Sequence, residues 1–130
     1  MSKGGGMARI LVVDDDPLVR RLIRDILATQ KHEVSEAENG RRGEQVAAQQ
    51  RPDVIITDIV MPEQEGIETI IGLRRRCPAL KILAISGGGR MRFLEFLDVA
   101  RKFGADATLA KPFDRAGLLS ALAPLLPAPG

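Results

Sequence analysis

Short, almost wholly apolar runs alternate with amphipathic stretches along this chain, and few folds accept that pattern. Ala8 to Val13, Asp53 to Thr57 and Lys81 to Ile85 are rich in β-branched residues and short enough to be buried strands. His32 to Ala37 alternates more weakly and reads as a strand nearer an edge. Asp106 to Ala110 reads as a last strand. Helical spacing fills the gaps. After Pro17, which suits a first helical turn, Leu18, Leu22 and Ile26 recur every fourth residue, with Val19, Ile23 and Leu27 beside them. That predicts one apolar helix face. Asn39 and Gly40 make a turn, and Arg41 to Gln50 is a short polar helix stopped by Pro52. Ile67, Ile70, Ile71 and Leu73 mark a helix ending near Cys77-Pro78. Met91, Leu94 and Leu97, with Phe93, Phe96, Ala100 and Phe103, mark another, broken at Gly104. Asp114 is an N-cap for a last helix to Ala123, which Pro124 ends. Five strand–helix units in strict alternation predict an α/β fold, a doubly wound five-stranded parallel sheet with helices on both faces. Right-handed crossovers leave few topologies for it.

The 130 residues suit one domain with a core of its own. Residues 1–7 read as a flexible leader or an appended extension, 8–123 as the domain, and 124–130 as a proline-rich tail. The net charge is +2 and the basic residues are scattered, without a basic stripe interleaved with aromatics. Direct nucleic-acid binding as a primary role is therefore not expected. Cys77 is the only cysteine, so no internal disulfide forms. No apolar run approaches the ~18 residues of a membrane span, and the start lacks a signal-peptide stretch. Membrane insertion is not expected, and a cytoplasmic location is.

In an open parallel sheet, ligands bind beyond the carboxyl ends of the strands. The residues that follow each strand are Asp14, Asp15 and Asp16; the Glu36 to Glu38 region; Asp58; Ser86 with Gly87, Gly88 and Gly89; and Lys111 with Pro112. Carboxylates on two adjacent central strands repel, which calls for raised pKa values or a bound cation. An all-oxygen cluster open to water suits Mg²⁺. With a lysine and a hydroxyl opposite, the set makes a pocket for a phosphoryl group, whose transfer depends mainly on positioning and charge stabilisation. A carboxylate can be the covalent nucleophile. Asp58 stands alone after its strand and is the better acceptor, while the Asp14–Asp15 pair is better used to hold the metal.

These residues resemble the receiver domains of bacterial response regulators. The resemblance rests on Ile10-Leu11-Val12-Val13-Asp14-Asp15-Asp16, on Asp58-Ile59-Val60-Met61-Pro62 with Gly66, on Ser86 after an apolar strand, and on Lys111-Pro112-Phe113. It runs from about Ala8 to Ala123. Each piece alone is weak, and the four in this order are highly specific. The resemblance implies the flavodoxin-like strand order 2-1-3-4-5 known for this family. It implies a two-component phospho-acceptor rather than an enzyme, with only self-catalysed phosphorylation and dephosphorylation. Asp58 would take the phosphoryl group from a histidine kinase, a histidine phosphotransfer protein or a small phosphodonor. Asp15 and Asp58 would ligate Mg²⁺, with the Val60 carbonyl, and Asp14 through water. Ser86 and Lys111 would bind the phosphoryl oxygens, and Lys111-Pro112 would be a cis peptide.

The chain departs from the family at Thr108, where a Tyr or Phe usually serves as a rotamer switch. It also has Gln64-Glu65-Gly66 where Met-Asp-Gly is common. The positions that tune dephosphorylation hold Val60 and Gly88, neither able to position a water through a polar side chain, so slow self-dephosphorylation is expected. The chain ends soon after its last helix, so a stand-alone receiver is expected, acting through a partner. The expected output surface is the last two helices and strand: Arg90, Arg92, Phe96, Arg101, Lys102, Thr108 and Arg115. Oligomeric state is open, a homodimer included.

Plainer roles compete for several of these residues. Asp16 reads better as a helix cap than as a ligand. Ser86 could merely satisfy loop backbone. The glycine triplet lacks the lysine and hydroxyl of a nucleotide loop. His32 reads as a surface or structural residue rather than a catalytic one, and Phe93, Phe96 and Phe103 as core. Two other functions stand beside the receiver. One is a haloacid-dehalogenase-like phosphatase with Asp14 as nucleophile and Asp16 as acid, opposed by Leu18 and by the lack of an acidic pair after Lys111. The other is a docking module of the same fold that is never phosphorylated.

Overall fold

The computed structural model describes residues 7–58, 65–86, 98, 100–102 and 104–127, with side chains at 67–85 in the second segment. In chain order the elements are β1 (Arg9–Val13), α1 (Pro17–Ala28), β2 (Glu33–Ala37), α2 (Gly40–Gln50), β3 (Val54–Asp58), α3 (Glu65–Arg76), β4 (Lys81–Ser86), β5 (Ala107–Ala110) and α4 (Arg115–Leu122). Asp98 and residues 100–102 are also helical. A 3-10 turn, Ala123–Leu125, follows α4.

The central strands set the layering. Alternate side chains of a strand point to opposite faces, and on β1 both sets are apolar. Leu11 and Val13 join Val46, Ala47, Ile70, Leu73 and Ala100 in one core beneath α2, α3 and the helical residue Ala100. Ile10 and Val12 join Ile23, Leu27, Leu118 and Leu122 in a second core beneath α1 and α4. A strand apolar on both faces is stable only between two layers. The five strands accordingly form one parallel sheet in the order β2-β1-β3-β4-β5. The half-exposed β2 lies at an edge, as its weak alternation predicts.

Caps follow the local chemistry. Asp16 Oδ1 accepts from the Leu18 N–H at 2.9 Å. Asn39 Oδ1 accepts from the Arg42 N–H at 2.8 Å, so Asn39 is a cap and Gly40 opens α2 rather than lying in a turn before it. Asp114 Oδ1 accepts from the Gly117 N–H at 2.7 Å. Packing continues past Pro124, because Leu125 is buried in the second core. His32 is structural: it is buried, and its Nδ1 accepts from the Ala8 N–H at 3.0 Å. Burial lowers its pKa.

The predicted face of α1 needs correction. Ile23 and Leu27 are buried, with Val19 and Ile26 packed beside them, while Leu18 is 74% and Leu22 49% exposed. Six apolar residues make a stripe wider than one sheet can cover. The half facing Ile10 and Val12 wins.

Arg74 fastens the far end of the sheet. Its Nη1 donates to the carbonyls of Pro78 and Leu80 at 2.8 and 2.7 Å. Its Nη2 donates to the Gly104 carbonyl at 2.7 Å and to Asp106 Oδ2 at 2.8 Å. Asp106 Oδ2 also accepts from the Ile82 N–H at 2.8 Å. One guanidinium thus joins the loops that lead into β4 and β5. Arg74→Ala should lower unfolding stability by about 2 kcal/mol, the scale for losing charge-assisted bonds, read as an earlier urea midpoint with an unchanged slope.

Candidate functional site

The strand register assembles the site. Val13 lies opposite Thr57 on β3, so the next residue, Asp14, comes beside Asp58. Asp58 lies opposite Ile85, one residue before Ser86. Ser86 lies opposite Ala110, one residue before Lys111. Residues far apart in sequence therefore meet at one carboxyl edge because each directly follows, or ends, a strand of the sheet.

Asp14 and Asp58 are buried there, 2% and 5% exposed, while Asp15 is exposed. Carboxylate oxygens of all three lie within 4.8 Å of one another. Lys111 Nζ donates to Asp58 Oδ2 at 2.9 Å and to Asp14 Oδ2 at 3.2 Å. The Asp16 N–H donates to Asp14 Oδ1 at 2.9 Å, so both oxygens of Asp14 are engaged. Burial raises the Asp14 pKa and the charge of Asp58 adds to this, outweighing the Asp16 N–H and Lys111. Burial lowers the Lys111 pKa, but hydrogen bonds and charge from Asp58 and then Asp14 overcome it, and the net shift is upward.

Three carboxylates against one ammonium leave an excess of negative charge at this pocket. The donors are all oxygen, and exposed Asp15 keeps one side open to water. That set fits a hard divalent cation that retains part of its hydration. Asp14, Asp15 and Asp58 could hold such an ion, and Lys111 supplies a cation on the other side.

Of the residues singled out from the sequence, the structure brings Asp14, Asp15, Asp58 and Lys111 together. Asp16 stays out of the cluster and caps α1. Val60, the Ser86 side chain and Gly87 to Gly89 lie outside the described residues. The Lys111-Pro112 peptide is cis.

Arg20 is the residue the sequence reading missed. Its Nη1 donates to the Asp14 carbonyl at 2.7 Å and its Nε to Glu36 Oε1 at 3.1 Å. Arg24 Nη1 holds the other Glu36 oxygen at 3.0 Å. Glu36 thereby aims Arg20 at the backbone that carries Asp14. The only sequence signal is the spacing of Arg20 and Arg24 by one helical turn, which gives no hint of a backbone acceptor.

A family model for the response regulator receiver domain matches residues 10–123. The chain belongs to that family. It is 34% identical over 115 residues to the chemotaxis protein CheY of Thermotoga maritima, covering 88% of this chain and 93% of that one. It is 32% identical to the CheY of Halobacterium salinarum, covering 92% and 98%. Among solved structures, chemotaxis protein CheY4 of Vibrio cholerae superposes with a TM-score of 0.82 at 31% identity, covering 93% of this chain and all of that one. No helix among the described residues is long and apolar enough to cross a membrane.

The receiver's charge imbalance has a measurable consequence. Because the native state raises the Asp14 pKa, the folded protein holds that proton more tightly than the unfolded chain does. Ionised Asp14 therefore opposes folding at neutral pH, and the penalty fades as pH falls through the raised pKa. In EDTA, Asp14→Asn should melt at a higher temperature than wild type at pH 7. That gap should narrow towards pH 4, as thermal scans across the range would show.

Proposed function

We propose that this receiver domain accepts a phosphoryl group on Asp58, assisted by Mg²⁺, and thereby changes which protein it binds. The observation that carries this is the placement of Lys111 Nζ between the two buried carboxylates of Asp58 and Asp14, at the carboxyl edge of the sheet. That placement gives a nucleophile, a cation for the incoming oxygens, and residual negative charge to hold a metal.

Donors would be a histidine kinase or a histidine phosphotransfer protein. An Asp58 carboxylate oxygen attacks the phosphorus, a P–O bond forms, and the P–N bond to the donor imidazole breaks with its electron pair returning to nitrogen. Asp15, Asp58 and the Val60 carbonyl would hold Mg²⁺, with Asp14 acting through water. When bound, Mg²⁺ supplies charge that offsets the phosphoryl oxygens. Lys111 meets the same oxygens, for its present partner Asp58 gives up a charged oxygen to the new bond. Ser86 fixes a further oxygen. The phosphatase alternative would need Asp16 as acid beside an Asp14 nucleophile, and Asp16 is instead engaged in capping α1, outside the carboxylate cluster.

Intact mass tests this directly. With Mg²⁺ and acetyl phosphate or phosphoramidate, wild type should gain one phosphoryl group. Asp58→Ala should gain none, and EDTA should abolish the gain. Labelling that survives Asp58→Ala and requires Asp14 would instead support the phosphatase, and a chain that no donor labels, its cognate kinase included, would be a docking module.

Val60 and Gly88 offer no polar side chain to position a hydrolytic water. The phosphorylated protein, freed of donor, should therefore decay with a half-life of minutes or longer. Decay within seconds without a phosphatase would refute this.

The output would leave through the helix before β5, β5 itself and α4, in the cytoplasm. Arg101, Lys102 and Arg115 are exposed there. Arg101 Nη2 donates to Thr108 Oγ1 at 3.4 Å, and Arg115 Nη1 to Thr29 Oγ1 at 2.9 Å. Arg90, Arg92 and Phe96 lie outside the described residues. Phosphate capture by Ser86 and Lys111 would pull on the loops bounding these elements. Arg101→Glu with Lys102→Glu should change partner capture from lysate while leaving Asp58 labelling intact. If capture is unchanged, this surface is not the output.

A further inference from the structure

A second concavity opens at the opposite end of the sheet, where β3 and β4 begin. Its volume is about 780 Å³, within the range of small-molecule sites. The wall is aliphatic: Ala47, Leu80 and Leu125 are buried, and Cys77 and Leu126 are partly so. Among the described residues, no aromatic side chain lines it.

Among the described residues, the rim carries Arg51, Arg76 and Lys81 against Asp53. Asp53 Oδ2 already accepts from the Arg9 N–H at 2.9 Å. Arg76 reaches Glu44 only at 4.0 Å. Among the described residues, Arg51 and Lys81 have no ion-pair partner. Arg51 sits at the C-cap of α2 with φ 49°, a conformation that side chains other than glycine rarely adopt. The chain reverses at this arginine and enters β3 at the rim of the concavity.

We propose that this concavity binds an amphipathic carboxylate, with its alkyl chain against Leu80, Leu125 and Leu126 and its head at Arg51 and Lys81. The excess positive charge selects an anion. The aliphatic wall selects a chain that a small inorganic anion lacks. The described lining offers no aromatic platform on which a nucleobase would stack. The site is separated from Asp58 by the full length of β3, roughly 17 Å at ~3.3 Å per residue.

The test is a titration of the full chain with sodium decanoate below its micelle concentration, followed by amide NMR shifts. Decanol and acetate serve as controls for the charge and the chain. Saturable shifts confined to residues 51–53, 77–81 and 125–126 are expected, with slower alkylation of Cys77 by iodoacetamide. Lys81→Glu should weaken binding about tenfold or more. Arg51→Gly, which relaxes the backbone while removing the charge, should do likewise. Both variants should keep wild-type phosphoryl labelling, so failure here is separable from failure at Asp58. Shifts that never saturate or spread over the surface would overturn the proposal. So would equal binding by both variants, or decanol binding as tightly as decanoate, which would mark a purely apolar groove suited to a protein segment.

Discussion

Everything at the carboxyl edge depends on one ammonium between two buried carboxylates. Removing Asp14 and Asp58 from water is costly unless their charge is compensated, and Lys111 meets one oxygen of each. The compensation is incomplete, because Asp15 adds a further negative charge and Asp14 keeps a raised pKa. A fully neutralised pocket would be more stable and would have little attraction for a cation. The residual charge makes the site receptive, and the two hydrophobic layers around it supply the stability that a receptive site lacks. Stability and reactivity are thus divided between the interior of the sheet and its edge.

Much of this was legible in the sequence, because the chemistry follows the strands directly. Each apolar run predicts a strand, and the residue after it inherits a position at the edge. The sequence alone therefore places Asp14, Asp58 and Lys111 together, and the alternation of runs carries the layering with it. The strand order came from family resemblance rather than from the pattern.

What stayed hidden shares a physical cause. Arg20 and Arg74 act by donating to backbone carbonyls, and a carbonyl looks the same in every residue. No spacing rule singles out such acceptors. The phase of α1 is hidden for a different reason. Its stripe from Leu18 to Leu27 offers more apolar surface than the sheet covers, so periodicity alone could not say that Leu18 and Leu22 would face water. The sequence suggests a turn at Asn39 where the residue is a cap, two roles that use the same side-chain acceptor.

The Arg74 clasp bears on how a disturbance at Asp58 could travel. It ties the loops entering β4 and β5 at their amino ends, while Ser86 and Lys111 stand at the carboxyl ends of those strands. Mechanically the pair is a cantilever, clamped at one end and loaded at the other. Force applied at the tip is not dissipated as sliding of β4 against β5. It would become deflection, which in a cantilever is largest at the tip.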